Sequence, residues 1–156
     1  MKVVYHEDYN QVYTSDPAAA AGRIQAVTTA LKGKVTFVEP EPATRETILS
    51  LHTPEHVKSV ENASIYDIAA LAAGGAIMAA EIALNEPCFA LIRPPGHHAS
   101  ANVSWGFCYF NNMAIALEHL KQQGKINKAF ILDFDLHFGD GTVNILRDME
   151  YVTIYN

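Results

Sequence analysis

The sequence predicts an α/β fold in which a mostly parallel sheet is flanked by helices. Short runs of β-branched and aromatic residues alternate with longer segments of helical periodicity, which is the pattern of βαβ units. The predicted strands are Lys2–Tyr5, Lys34–Val38, Cys88–Ile92, Lys128–Asp133 and Tyr151–Tyr155. A length of 156 residues, 49% of them hydrophobic, suits one domain with a substantial core, so residues 1–156 are interpreted as a single domain.

Helix signals fill the intervals between these strands. Asp16 can cap a helix that Pro17 begins and Gly33 ends. The apolar stripe of this helix consists of Ile24, Val27 and Leu31.

Three further helices are predicted before the third strand. Thr44 and Thr53-Pro54 are typical caps of two short helices. The segment 65–84 is rich in Ala, Ile and Leu and predicts a buried helix, in which Gly74-Gly75 allows close packing.

Composition and charge exclude several classes of function. The net charge of −6, without a cluster of basic residues, argues against a general nucleic-acid-binding surface. Cys88 and Cys108 are interpreted as small buried residues rather than a disulfide framework. Acidic residues follow the N-terminus too soon for a secretory signal, and no segment resembles a membrane span, so a cytoplasmic location is expected.

Two carboxylates and an imidazole lie at the carboxyl end of the predicted strand Lys128–Asp133. Asp133, Asp135 and His137 alternate along the chain, and side chains two residues apart at a strand end share a side. An Asp-x-His pair suits a divalent ion of intermediate softness such as zinc. The sequence therefore predicts a metal site at this strand end.

A long segment without clear periodicity, residues 93–109, follows the strand Cys88–Ile92. Long irregular loops in compact domains are usually functional, and open parallel sheets build their ligand crevices at the carboxyl ends of strands. His97 and His98 lie in this loop, and Asp133 and Asp140 are the carboxylates best placed to orient them. By contrast, Pro54 separates His52 from His56, so no metal role is expected for that pair.

Three ordered blocks resemble the histone deacetylase superfamily, including its bacterial and archaeal members and the acetylpolyamine amidohydrolases. The resemblance is dense over residues 93–142, and the chain matches the N-terminal part of the family. The blocks are Arg-Pro-Pro-Gly-His-His at 93–98, Trp-Gly-Phe-Cys-Tyr-Phe-Asn-Asn at 105–112 and Asp-Phe-Asp-Leu-His-Phe-Gly-Asp-Gly-Thr at 133–142.

The resemblance implies an arginase-like three-layer α/β fold, and it assigns roles to individual residues. Asp135 and His137 match two of the family's three zinc ligands, although iron or cobalt could occupy such a site. The matching catalytic group comprises His97 and His98 with their respective partners Asp133 and Asp140. The backbone carbonyls matching a structural potassium site are those of Asp133, Asp135 and His137.

The activity that the resemblance implies is metal-dependent amide hydrolysis. Zinc would activate a water molecule and polarise the acyl carbonyl, while His98 would act as the general base and acid. Gly106 and Phe107 match the wall of a narrow substrate tunnel, and Phe107 and Trp105 suit a long methylene chain. The expected substrates are acetyl-lysine and acetylated polyamines.

The chain departs from the family pattern in two respects. Phe138 stands where many members have a further histidine, and there is no match for the third zinc ligand, an aspartate, or for the carbonyl-polarising tyrosine. Tyr151 and Tyr155 are not expected to replace that tyrosine. A truncated sheet would expose apolar edges, so we expect a homo-oligomer or association with a missing C-terminal part.

The sequence is also compatible with two functions other than deacetylation. One is a catalytically inactive metal-binding or interaction module that retains half of a metal site. The other is a binuclear manganese hydrolase of the arginase type, which shares the fold and also uses Asp/His clusters.

Overall fold

The computed structural model describes all of residues 1–156 except the side chain of residue 18. Its strands are β1 (Lys2–Val4), β2 (Thr36–Val38), β3 (Cys88–Ala90), β4 (Ala129–Leu132) and β5 (Val152–Tyr155). Its α-helices are α1 (Arg23–Leu31), α2 (Arg45–Leu49), α3 (Pro54–Asn62), α4 (Tyr66–Ala83), α5 (Asn112–Gln122) and α6 (Asp140–Leu146). Every predicted strand is present, each slightly shorter than predicted.

All of the strand pairs are parallel, but they form two sheets. The first has the order β2-β1-β3, with Val3 opposite Phe37 and Phe89, and the second pairs β4 with β5, with Ile131 opposite Ile154. The predicted parallel α/β fold is therefore confirmed, whereas the division into two sheets was not predicted. Parallel strands need helical crossovers, and α1, α4 and α6 lie in the connections between successive strands of each sheet.

Helix α4 is the centre of the larger core cluster. It packs against α5, β3 and β1, and the cluster includes Val3, Tyr9, Ile48 and Phe110. A Cβ added at Gly74 would lie 1.9 Å from the backbone oxygen of Glu41, so α4 contacts the 41–43 backbone directly. The predicted buried helix with close glycine packing is therefore confirmed.

The same helix corrects one expectation about membranes. Among the described residues, α4 is the one helix long and apolar enough to span a bilayer, with 18 residues and a mean hydropathy of 1.4. Half of this helix is buried within the fold. A core helix has the same composition, because a helix that is buried on several sides carries few polar residues.

The first predicted helix is wrong in its N-terminal part. Asp16 does act as a cap, but its carboxylate accepts a hydrogen bond from the Ala19 amide in a separate 3₁₀ helix over Pro17–Ala19. Gly22 then adopts a φ of +82° and α1 begins only at Arg23. A left-handed residue interrupts the helix, so the two segments cannot be continuous.

The caps of the next two helices agree with the sequence. The Thr44 hydroxyl accepts a hydrogen bond from the Thr47 amide at the start of α2. The Thr53 hydroxyl accepts one from the His56 amide at the start of α3, where Pro54 is the first residue. Both satisfy backbone donors that have no partner inside the helix.

Replacing Gly74 by alanine should destabilise the fold through its contact with the Glu41 backbone. Because backbone rather than a flexible side chain obstructs the new Cβ, Gly74→Ala should lower the free energy of unfolding by about 3 kcal/mol in urea titration. The exchange Ala30→Gly at an exposed position of α1 is the control and should cost about 1 kcal/mol. A Gly74→Ala protein more stable than the wild type would contradict this packing.

Candidate active site

The predicted site residues lie on two segments that follow different sheets. His97 and His98 belong to the irregular segment between β3 and α5, while Asp133, Asp135 and His137 lie between β4 and α6. Asp140 is the first residue of α6. The structure brings these two segments into contact, as expected for the carboxyl ends of parallel strands.

His98 and Asp140 form the tightest of the histidine–carboxylate pairs. His98 is buried, and its Nδ1 lies 2.6 Å from Asp140 Oδ1. Burial opposes ionisation of Asp140, but hydrogen bonds from Trp105 and His98 outweigh it, so the pKa of this carboxyl lies below its usual range. An ionised carboxylate only accepts hydrogen bonds, so Nδ1 of His98 carries the proton and its Nε2 is left to exchange one.

His97 and Asp133 form a parallel pair beside the first. His97 Nδ1 lies 3.0 Å from Asp133 Oδ2, and both side chains are largely buried. The other carboxylate oxygen of Asp133 accepts a hydrogen bond from the Asp135 amide at 3.1 Å. The centroids of the His97 and His98 rings are 4.0 Å apart, so the two pairs lie side by side.

Asp135 and His137 face one another on the exposed turn after β4. Asp135 Oδ1 lies 3.2 Å from His137 Nδ1 and accepts a hydrogen bond from the His137 amide at 2.8 Å. These hydrogen bonds, the amide first, hold the pKa of Asp135 below its usual range. The His137 ring centroid is 6.0 Å from that of His98, which places this pair next to the tandem histidines.

The distance between Asp135 Oδ1 and His137 Nδ1 fits two ligand atoms of one zinc ion. Zinc–nitrogen and zinc–oxygen bonds of about 2.0–2.2 Å at tetrahedral angles place two ligand atoms roughly 3.4 Å apart, close to the 3.2 Å between Asp135 Oδ1 and His137 Nδ1. Among the described residues no group of three His, Cys, Asp or Glu side chains is placed to hold a metal. The pair therefore fits two ligand positions, and the described residues supply no third.

The 105–108 segment encloses His98. Gly106 has a φ of +57°, and a Cβ added there would lie 2.4 Å from His98 Cδ2, so only glycine fits beside the ring. Phe107 also has a positive φ, of 68°, and its side chain is exposed. Cys108 Sγ accepts a hydrogen bond from the His98 amide, and burial raises the pKa of the thiol to about 12.

The sequence suggested that Trp105 provides a surface for a methylene chain. In the structure Trp105 also contacts both His98 and Asp140. Its ring stacks on His98 with a centroid distance of 3.9 Å and an interplanar angle of 28°. Its Nε1–H donates to Asp140 Oδ2 at 2.9 Å. Nothing in residue spacing predicts this hydrogen bond, since Trp105 and Asp140 lie 35 residues apart.

The N-terminus of α6 packs directly on the irregular segment 93–109, which carries His97 and His98 and is called the histidine loop below. A Cβ added at Gly141 would lie 2.5 Å from the backbone of Ala99, and the Thr142 amide donates to the His97 carbonyl at 3.0 Å. Asn111 bridges the same junction, because its side-chain amide donates to both Ala99 O and Thr142 Oγ1. Sequence reasoning did not identify the bridging role of Asn111, which requires knowledge of the tertiary contact.

His52 and His56 bond to the backbone just before α5. His52 Nε2 accepts a hydrogen bond from the Asn111 amide, and His56 Nε2 lies 2.7 Å from the Tyr109 carbonyl. Burial, with a contribution from His56, lowers the pKa of His52 to about 4. Both imidazoles form hydrogen bonds with the backbone just before α5, so they stabilise the conformation of this segment.

Tyr151 is hydrogen-bonded to α5. Its hydroxyl donates to Glu118 on α5 at 3.1 Å, and burial followed by that carboxylate raises the pKa of the phenol. That Tyr151 does not stand in for the family's tyrosine stays a prediction.

Comparison with known families identifies the lineage of this arrangement. Residues 18–156 match the family model described as the histone deacetylase domain. The chain belongs to the histone deacetylase family. This membership agrees with the resemblance noted in the three sequence blocks.

Relatives in the family cover nearly all of the chain. It is 37% identical to a probable deacetylase of Archaeoglobus fulgidus over 96% of the chain and 49% of that protein. It is 34% identical to a probable deacetylase of Methanothermobacter thermautotrophicus over 99% of the chain and 54% of that protein. Identity to the human polyamine deacetylase HDAC10 is 28%, over 94% of the chain and 27% of that protein.

The fold is also similar to a solved structure of the family. The crystal structure of the HDA15 HD domain aligns with a TM-score of 0.86 at 26% identity, over 98% of the chain and 52% of that structure. The chain thus spans about half the length of the archaeal deacetylases and of the solved domain that it matches.

Replacing Gly106 by alanine should displace the His98 ring. Both Gly106→Ala and the control Gly124→Ala place alanine at a positive φ, of +57° and +66°, but the second position has no atom within 4 Å of the new Cβ. Each should lose about 1 kcal/mol of stability through the left-handed backbone. Only Gly106→Ala should shift the NMR signals of the His98 imidazole, and unchanged signals would contradict the close contact.

Proposed function

We propose that this chain supplies the tandem histidines, their carboxylate partners and two metal ligands of a deacetylase that hydrolyses the amide bond of acetylated amines. The single observation that carries the proposal is the placement of two histidine–carboxylate pairs beside the Asp135–His137 donor pair. Membership of the histone deacetylase family supports the same reaction class.

In this mechanism His98 is the residue that moves protons. Asp140 holds its Nδ1, so Nε2 takes a proton from the attacking water as the water oxygen bonds to the acyl carbon. Nε2 then returns a proton to the amine nitrogen as the carbon–nitrogen bond breaks, which releases acetate and the free amine. Asp133 orients His97, whose ring beside His98 contributes mainly to the local electrostatic field.

Asp135 and His137 would hold the metal ion. A zinc ion, or iron or cobalt, supplies Lewis-acid polarisation of the acyl carbonyl and lowers the pKa of water when it is bound. Two protein ligands are fewer than the three that catalytic zinc normally has, so we propose that the remaining ligand and the carbonyl-polarising group come from a second copy of this chain. The backbone carbonyls of Asp133, Asp135 and His137 are proposed to bind potassium.

The proposed substrate is acetyl-lysine or an acetylated polyamine. Phe107 and Trp105 expose aromatic surface beside Gly106, which suits the methylene chain of either substrate. The net charge of −6 favours cationic amines, and HDAC10, a relative, is named a polyamine deacetylase.

An inactive metal-binding module is the second candidate function. The observation that favours it is that the described residues bring only two metal ligands together. An arginase-type binuclear manganese site is less well supported, because two ions need more ligands than this pair and the family match is to deacetylases.

The decisive experiment is hydrolysis of a fluorogenic acetyl-lysine substrate by this chain with added zinc. We expect activity that His98→Ala lowers at least about 100-fold, because positioned acid–base groups contribute factors of that size. His119→Ala, on α5 and hydrogen-bonded to Gln123, is the matched control and should retain activity.

Metal analysis in the same experiment separates the two candidate functions. Asp135→Ala should lower the zinc content of the purified protein, while His98→Ala should leave it unchanged. Absence of activity together with substoichiometric zinc in the wild type would contradict an active enzyme and identify this polypeptide as part of one. Stoichiometric zinc without hydrolysis of any acylated amine would favour the inactive module.

We also propose that the chain associates through the exposed surface between its two sheets. A cavity of about 720 Å³ lies between α4, α5, β3 and the end of β4, and its lining is mostly apolar. Phe134 and Leu136, which line it, are 90% and 93% exposed, and exposed apolar patches next to free strand edges favour association. A second copy of this chain would cover this surface.

Light scattering on the purified chain tests this association. At micromolar concentration the particle should be a dimer or larger, well above the 17.1 kDa of one chain. Phe134→Ser and Leu136→Ser should shift it toward the monomer, whereas Val12→Ser, at an exposed apolar position away from the cavity, is the control and should not. A monodisperse monomer of the wild-type chain would contradict the proposal.

A further inference from the structure

We infer that Trp105 is a positioning residue for the His98–Asp140 pair, an inference that rests on the proposed function of His98. Trp105 contacts both members of the pair at once, through the face of its ring and through its indole N–H. The sequence had suggested only that its ring suits a methylene chain. The two interpretations predict different effects of substitution.

The hydrogen bond from Trp105 fixes the orientation of the Asp140 carboxylate. Oδ1 of Asp140 contacts His98 Nδ1 and Oδ2 accepts the indole N–H at 2.9 Å, so each oxygen has its own donor. The Asp140 side chain is 43% exposed, and water would otherwise compete for these oxygens. With Oδ2 held, a rotation that removes Oδ1 from His98 must break a second hydrogen bond.

The stacking contact restrains the imidazole itself. The Trp105 ring lies 3.9 Å from the His98 ring, while Gly106 lies against the Cδ2 edge of the imidazole. His98 Nδ1 is occupied by Asp140, so these contacts define both the plane and the in-plane orientation of the ring. Nε2 is thereby held in one direction, which is what a group that exchanges protons with substrate requires.

Two substitutions separate the roles of the ring and of the N–H. Trp105→Phe keeps an aromatic ring over His98 but removes the donor to Asp140, and Trp105→Leu removes both contacts. Since Trp105 is 54% exposed in an irregular segment, both variants should fold. For the 156-residue chain with zinc and a fluorogenic acetyl-lysine substrate, kcat should fall about three- to tenfold in Trp105→Phe and further in Trp105→Leu.

The division between kcat and KM distinguishes positioning from substrate contact. Positioning of His98 predicts a lower kcat with KM near the wild-type value in Trp105→Phe. A raised KM with unchanged kcat would overturn the inference and assign Trp105 to the substrate wall.

An NMR measurement tests the geometry without relying on activity. The chain contains one tryptophan, so its indole N–H gives a single signal in a proton–nitrogen spectrum. Asp140→Asn and His98→Ala should both move this signal, whereas His119→Ala should not. In Trp105→Leu the imidazole proton signals of His98 should lose the ring-current shift caused by the indole.

The kinetic and NMR measurements together distinguish failure of this inference from failure of the proposed function. If no hydrolysis is detected, the proposed function of the isolated chain fails while the NMR result still decides the positioning role. An indole signal that does not respond to Asp140→Asn or His98→Ala overturns the inference whatever the activity.

Discussion

The site depends on one junction, at which the N-terminus of α6 lies against the backbone of the histidine loop. Gly141 has no room for a Cβ against Ala99, and the Thr142 amide bonds to the His97 carbonyl. The side chain of Asn111 joins the same two segments. The two sheets share no strand pair, so this junction is what brings Asp140 to His98.

The polar groups at this junction are paired in a way that limits the cost of their burial. His98 and Asn111 are buried, and each has hydrogen-bond partners on a neighbouring segment. A buried polar group without a partner would be costly, so the loop, α5 and α6 stabilise one another's positions. Asp140 also begins α6, where the positive end of the helix dipole favours a carboxylate.

Much of this arrangement could be predicted from the sequence. The alternation of β-branched runs and helical segments indicated the parallel α/β fold, and the blocks at 93–98 and 133–142 indicated the two segments that meet. The early helix was misjudged because Gly22 adopts a left-handed conformation that the apolar stripe does not reveal. The hydrogen bond of Trp105 and the bridge made by Asn111 depend on tertiary contacts across 35 and 31 residues, and no local pattern encodes them.

The hydrophobic core is divided into two clusters, and the two halves of the site belong to different ones. The larger cluster surrounds α4, and a smaller one, including Ile131 and Leu146, packs β4, β5 and α6 against Ala114 of α5. Asp133 follows β4 and Asp140 begins α6, both in the smaller unit, whereas His97 and His98 follow β3 of the larger unit. A local opening of the smaller unit would separate both histidines from their carboxylates in one event, so we expect the two pairs to be lost together.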